Sequence, residues 1–268
     1  MLKGLYIASL SDISGGTIPA GAQNMLTNKD FDVYEIEGLG RPSAELSESE
    51  LVGADASVFS GISVKNRNIT LSVKTRSDTG KFNLYKLLGF GEKRRLFFEN
   101  DAGIFYIDGY TKGATYTAKQ ARLDDFEVPF FCPYPWFRAC REHRQDITFG
   151  NAFTARQAGD ICAGIRIYAS IDTTMELSAF DISDQRGNAI HYDTTSVYTP
   201  SRAGLALLVD TTPGAHSFLR LKDAKNVRIE NDWVTVPVGE DTTITASIKN
   251  YARGVLGVAA WRDTWSGI

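Results

Sequence analysis

The stretch Arg67-Asn68-Ile69-Thr70-Leu71-Ser72-Val73-Lys74-Thr75 alternates apolar and polar side chains from Asn68 onward. A period of two puts one set of side chains on a buried face and the other towards solvent, which is the pattern of a β-strand. Directly after it, Ser77 and Asp78 offer a helix N-cap, and Phe82, Tyr85 and Leu88 (with Leu84) recur at helical spacing before Gly89 and Gly91 end the helix. Two aromatic-rich segments follow, residues 95–99 and 104–110, joined by Asn100-Asp101-Ala102-Gly103. Asn, Asp and Gly tolerate the left-handed backbone of a tight turn, so this pair predicts a β-hairpin. Strand, short helix and hairpin make one compact unit, from which the rest of the chain can be read.

Upstream, Phe31-Asp32-Val33-Tyr34-Glu35-Ile36-Glu37 alternates again and predicts a strand closed by Gly38 and Gly40-Arg41-Pro42. Residues 7–28 are rich in Ser, Gly, Ala and Thr, which predicts an extended arm or loop. Residues 43–60 are polar and acidic with little periodicity, and they predict a long surface loop. Downstream, residues 113–122 alternate small and polar side chains, and residues 123–131 form an apolar strand with Phe126, Val128 and Phe130 on one face. Pro129, Pro133 and Pro135 restrict its pairing, because proline has no N–H for the ladder. The chain then leaves its first domain through residues 132–137.

The second half consists of short strand candidates: residues 161–170, 175–182, 189–192, 205–209, 217–221, 226–230, 234–238, 242–248 and 254–261. Turn clusters such as Asp184-Gln185-Arg186-Gly187-Asn188 and Thr211-Thr212-Pro213-Gly214 separate them. Many short strands with no helical period between them predict an antiparallel sandwich. The expected fold is therefore mainly β. A β-sandwich-like domain with a short helix and a hairpin occupies residues 1–137, and a galectin-like or jelly-roll sandwich occupies residues 138–268, its last residues able to pack back on the first domain.

At 268 residues, 43% apolar and 23% charged, the chain is long enough for two modest domains and too apolar for a disordered one. The net charge of −3 comes with Lys and Arg spread along the chain, so there is no electrostatic footprint for nucleic acid. Three cysteines, Cys132, Cys140 and Cys162, cannot all pair, and reduced thiols in a protein made in a cytoplasm are expected. No apolar run reaches the roughly 18 residues of a membrane span, and the first eight residues make too short a core for a signal peptide.

Chemistry-bearing patterns are sparse. His143, His191 and His216 stand far apart and away from cysteine, so no metal or cofactor is expected. There is no G-x-S-x-G elbow, and Gly38, Gly40, Gly89 and Gly91 lack the strand–glycine–helix setting of a phosphate cradle. His143 within Arg141-Glu142-His143-Arg144 reads as a solvated linker, and Glu45, Glu48, Glu50 and Asp55 as a solvated acidic loop. No catalytic residue is assigned and the chain is not expected to be an enzyme. Tyr192, Tyr198, Trp233, Trp261 and Trp265 could stack on sugar rings, although burial in a core is the favoured fate of such rings. Trp233, beside the turn residues Asn231-Asp232, is the candidate for glycan stacking.

Arg67-Asn68-Ile69-Thr70-Leu71, a short helix ending Leu87-Leu88-Gly89, Leu96-Phe97-Phe98-Glu99 and Tyr106-Ile107-Asp108-Gly109-Tyr110 resemble, in order and spacing, the siphovirus distal tail protein family. Ile36-Glu37-Gly38-Leu39-Gly40 and Cys132-Pro133-Tyr134-Pro135-Trp136-Phe137 extend the resemblance over residues 30–140. It implies a virion component of the tail tip or baseplate, made in the host cytoplasm, whose N-terminal domain closes into a homohexameric ring. The ring would join the tail tube protein to tail-tip or baseplate hub proteins and leave a channel through which DNA passes without specific binding. The arm at residues 6–28, the loop at 43–60 and the hairpin at 95–110 would then form the subunit contacts. Within the hairpin, Arg95, Phe97, Asn100, Asp101, Phe105 and Tyr106 are the candidate interface residues. The alternative is a carbohydrate-binding module that recognises a saccharide on the host surface, without membrane insertion.

Overall fold

The computed structural model describes residues 1–9, 17–50, 57–89, 91–118, 124–171, 177–198, 203–212, 217–218, 224–249 and 255–268. Residues 10–16 of the expected arm, 51–56 of the acidic segment, 119–123, and the turn at Pro213-Gly214 lie outside the described residues. The chain divides into two compact units, one built from Met1–Cys140 with Trp265–Ile268, the other from Arg141–Thr264.

The first unit contains strands β1 (Gly4–Ser9), β2 (Phe31–Glu37), β3 (Ala44–Glu50), β4 (Ser57–Val64), β5 (Arg67–Thr75), β6 (Lys93–Asn100), β7 (Gly103–Thr111), β8 (Thr115–Ala118), β9 (Asp124–Cys132) and β10 (Phe137–Ala139), with helix α1 (Asp78–Leu88) between β5 and β6. Its main sheet runs β1-β6-β7-β9-β5-β2, with β8 beside β9 and β10 beside β7. The alternation that opened the argument is realised in β5, where Ile69, Leu71 and Val73 are fully buried. Phe126, Val128 and Phe130 of β9 face the same core. Pro129 is accommodated where β9 changes neighbours, with β8 along residues 124–127 and β7 at Phe130 and Phe131. Its carbonyl accepts from Lys112 N, so the missing N–H faces that gap and leaves the ladder to β5 intact.

The two edge strands β1 and β2 both lie against a 3-10 turn, Met25–Thr27, and against α1, so the sheet curls around a core containing Met25 and Leu84. Asn24 closes the outer edge of β1. Its Oδ1 accepts from Leu5 N at 3.2 Å, and its Nδ2 donates to Lys3 O at 3.3 Å, so one amide does what a neighbouring strand would do.

Two expectations are corrected here. Helix α1 is capped as its sequence predicts, Ser77 accepting from Gly80 N and Gly89 closing the end at φ 54°. Its buried stripe, however, is Gly80, Leu84 and Leu88, spaced four apart, while Phe82 is 63% exposed and Tyr85 is also exposed. Gly80 is drawn in because its Cα packs against the Asp30 carbonyl, where a Cβ would come within 2.4 Å. That contact fixes the helix face and turns Phe82 outward. The second correction concerns residues 43–60, which contain β3 and β4 paired into a two-stranded sheet of their own. Glu45, Leu46 and Ser47 are all exposed, so no buried face imposes an apolar period on the sequence.

The second unit contains β11 (His143–Thr148), β12 (Ala152–Ala155), β13 (Ala163–Ile171), β14 (Leu177–Asp184), β15 (Ala189–Tyr198), β16 (Gly204–Asp210), β17 (Ser217–Phe218), β18 (Ala224–Glu230), β19 (Thr235–Val236), β20 (Thr242–Lys249) and β21 (Leu256–Trp261). One antiparallel sheet runs β11-β21-β13-β16-β17, with β19 on β13; the other runs β12-β20-β14-β15-β18. Ile165, Ile167, Val209 and Ala259 of the first meet Phe153, Ile182, Ile190 and Ile244 of the second in one core. Each buried side chain of isoleucine size stabilises the sandwich by about 1.5–3 kcal/mol. Each of the nine expected strands of this half has a counterpart among the described residues, that at 217–221 only over Ser217–Phe218. The charged run at Arg141–Arg144, expected as a solvated linker, instead leads into the edge strand β11, which pairs with β21 from His143 to Thr148.

Candidate assembly surface

The β6–β7 hairpin lies in the middle of the curled sheet and is covered on both faces. Leu96, Phe98, Phe105 and Ile107 point into the main core. On the opposite face, Phe97 and Tyr106 stand as cross-strand partners with rings 6.2 Å apart, packed with Ala8, Tyr6, Ile18, Ile104 and Cys140. The Arg95 guanidinium sits 4.0 Å from the Tyr106 ring centre and grips Asp108 with two bonds of 2.6 and 3.0 Å. Burial works most strongly against the Arg95 charge, but the hydrogen bond it donates to Asp108 and the attraction of that carboxylate together with its smaller neighbours outweigh it and hold the pKa above its ordinary value.

Of the six candidate interface residues, Phe97, Phe105 and Tyr106 are therefore enclosed by their own unit, and Arg95 is committed to Asp108. Only the turn reaches the surface. There Asn100 Oδ1 accepts from Ala102 N and Gly103 N, and Asp101, 66% exposed, pairs with the Met1 ammonium and Lys3 Nζ at 2.9 and 2.7 Å. These two cations lower the Asp101 pKa, Lys3 first.

The β3–β4 hairpin is the opposite case. It grows from β2 and β5, and its root is tied by Lys65 N donating to Ser43 O. Below the root, the buried Arg67 guanidinium donates to Pro135 O (2.7 Å), to Gly38 O and Gly40 O, and to Ser266 O, and lies 4.5 Å from the Phe137 ring centre. All four acceptors are main-chain carbonyls, and burial lowers the Arg67 pKa. One side chain thereby binds the 38–40 loop, the segment before β10 and the chain's last residues, whose Ile268 N also donates to Leu39 O. Gly38 has to be glycine, because its φ is +87° and a Cβ would meet Asn68 O at 2.1 Å.

Among the described residues the first unit leaves open the β3–β4 ribbon at residues 44–47 and 63–64, the outer edge of β2, which is unpaired there, and the aromatic face of α1 around Phe82 and Tyr85. The sequence did not announce the first or the third. Glu45-Leu46-Ser47 shows no period, and Phe82 carries the same helical spacing as a buried residue.

In the second unit, Tyr192 and Trp261 are core residues, and Trp233 is half-buried against the same core. Trp265 packs on the core of the first unit, and the Tyr198 side chain lies outside the described residues. Cys132 is buried, Cys140 half-buried and Cys162 exposed, all free thiols. No group of three potential metal ligands occurs among the described residues.

No family model and no curated protein matches this sequence. Solved structures do match. The crystal structure of Dit (gp 19.1) from phage SPP1, described as a paradigm of the hub adsorption apparatus of phages infecting Gram-positive bacteria, covers 98% of this chain and 99% of its own, with a TM-score of 0.62 at 13% identity. The chain has the Dit fold. A chain of the phage P2 baseplate, in its activated conformation with calcium, covers 97% of this chain and 98% of its own, with a TM-score of 0.50 at 12% identity. The resemblance that the sequence carried over residues 30–140 thus extends, as Dit fold, over both units.

Proposed function

We propose that this protein is a structural component of a phage tail, a distal tail protein at the junction of tail and baseplate. The observation that carries this reading is the Dit fold over 98% of the chain, which spans 99% of the SPP1 protein in turn. Six copies close into a ring through their N-terminal units. The ring joins the tail tube protein to tail-tip or baseplate hub proteins, and DNA passes through its channel without specific contacts. The role is architectural rather than catalytic, in a virion protein made in the host cytoplasm.

The physics of closure follows from the surfaces above. A β-edge without a partner continues a neighbour's sheet, and a two-stranded ribbon that buries little of itself is stabilised when another copy covers it. Head-to-tail contacts of this kind generate rings when the rotation closes. The exposed turn Asn100-Asp101 is kept as a contact. Arg95, Phe97, Phe105 and Tyr106 act as the rigid support behind it.

Light scattering across a concentration series, with negative-stain images of the same peak, tests the proposal. Six-fold rings with a central hole are expected. A monomer at every concentration, with no rings on the grid, would overturn the self-assembly.

A further inference from the structure

One edge of the C-terminal sandwich carries a cavity of about 600 Å³, lined by residues 141–145 with Trp261, the cross-strand partner of His143, and by Thr154 and Arg156 from the other sheet's edge. Glu142 and Arg144 of this lining belong to an ion cluster. Glu142, with a side chain only 11% exposed, accepts from Arg144 Nε at 2.6 Å and from Arg166 Nη2, and lies 3.2 Å from Arg262 Nη2. The register explains the convergence. Arg144 on β11 and Arg166 on β13 both stand opposite Ala260 of the intervening β21, and that small side chain leaves room for a carboxylate between the two guanidiniums. Asp263 is occupied as well, by His143 Nε2 at 3.0 Å and Ala158 N at 2.9 Å, and the His143 ring stacks on Trp261 with 5.5 Å between centres.

Charge and hydrogen-bonding capacity both lean one way. The cavity is lined by three arginines, Arg141, Arg144 and Arg156, and by one carboxylate, Glu142; Arg156 also lies 3.6 Å from Asp241. Arg144 and Arg156 are 68% and 66% exposed at the cavity. The side chains of Arg141, Gln145 and Thr154 bond to no described residue. The lining carboxylate is taken, and donors beyond those it engages remain at the exposed Arg144 and Arg156.

We propose that this cavity binds the oxyanion group, phosphate or carboxylate, of a small polar ligand. Arg144 and Arg156 approach it from facing walls, and Gln145 and Thr154 supply neutral donors beside them. Guanidinium forks match oxyanions with paired, charge-assisted hydrogen bonds, and the cluster already holds one such group in the Glu142 carboxylate. The volume is that of an ordinary small-molecule site. The inference does not rest on the tail assignment; it concerns the C-terminal unit whatever the N-terminal one assembles into.

The test is calorimetric titration of the full chain with inorganic phosphate and, separately, with glucuronate, at low and high salt. Saturable binding that weakens with salt is expected, and its preference between the two anions tells which group the site takes. Arg144→Ala combined with Arg156→Ala should weaken it at least about tenfold. Glu142→Gln should tighten it, because three guanidiniums lose their internal counter-ion. Arg228→Ala, an exposed arginine on the other sheet, should leave it unchanged. No binding of either anion by the natural chain, or equal affinity in the Arg144/Arg156 double variant, overturns the proposal. Thermal melts check that each variant folds, and the double variant decides by itself if Glu142→Gln does not.

Discussion

Two antiparallel hairpins of the N-terminal unit, β6–β7 and β3–β4, are built from the same kind of backbone and differ in what surrounds them. In β6, Leu96, Phe97 and Phe98 are consecutive and all fully buried, because the sheet is covered on both faces. In β3, Glu45, Leu46 and Ser47 are consecutive and all exposed, and the ribbon pairs only with β4. A lone two-stranded hairpin is marginal in water. The first hairpin is therefore stabilised by its own chain. The second is tied at its root by Lys65 N donating to Ser43 O, and its described side chains, residues 44–47 and 63–64, are exposed.

The largest effect should come from the buried hairpin. Phe98 is fully buried and meets Phe137 edge-on at 5.6 Å, so Phe98→Ala should cost about 3–5 kcal/mol, read as a fall in the urea midpoint. A loss below 1 kcal/mol, on the order expected of a surface site, would break the contrast between the two hairpins. Arg67→Met comes next. It leaves buried carbonyls without a donor, at a cost of about 1–3 kcal/mol for an unsatisfied group. Because two of those carbonyls, Gly38 O and Gly40 O, lie in the loop that leads into the hairpin, limited proteolysis should cut the β3–β4 region faster in this variant while sparing β6–β7. Equal protection of both hairpins would mean that the root is held by something other than Arg67.

A pH series sharpens the same comparison. Burial pushes the Cys132 thiol up to about 12, with the Arg67 charge pulling the other way. The folded chain therefore keeps a proton that the unfolded chain releases near pH 9. The associated stability is fully present below about pH 9 and is lost as pH rises towards 12, with a slope of about 1.4 kcal/mol per pH unit between them. Cys132→Ala should flatten that decline in the first unit's melting curve. If natural chain and variant fall in parallel between pH 9 and 11, the thiol is solvated rather than buried.

The legibility of the sequence follows the same division. Wherever one face is buried and the other is wet, as along Ile69, Leu71 and Val73 or Phe126, Val128 and Phe130, a period of two was visible and the strand is there. Much of the second half could be read for the same reason, since strands such as β13, β14 and β20 keep one face on the core, whereas Val227 and Ile229 of β18 are exposed. The hairpin β3–β4 could not, because its described side chains, residues 44–47 and 63–64, are all exposed and impose no pattern. The orientation of α1 was set by Gly80 against the Asp30 carbonyl, a backbone contact that no apolar spacing reports. The cavity beside β11 was also out of reach: Arg144 and Arg166 meet Glu142 only because β21 lies between their strands.

The smallest effect on stability should carry the most information about assembly. Leu46 is 62% exposed on β3, so Leu46→Lys should shift stability by no more than about 0.5 kcal/mol, the range of ordinary surface substitutions. If β3–β4 is covered by a neighbouring copy in the proposed ring, the same change buries a charge without a partner at that contact, and the rings should disappear from light scattering while the melting curve stays put. Rings that survive Leu46→Lys would move the contact elsewhere, to the open edge of β2 or the aromatic face of α1. Phe82→Ser then becomes the corresponding test, since Phe82 also has little to lose within its own chain. Loss of both ring and fold on Leu46→Lys would be the opposite result, placing this side chain in the unit's own packing and removing the difference between the two hairpins.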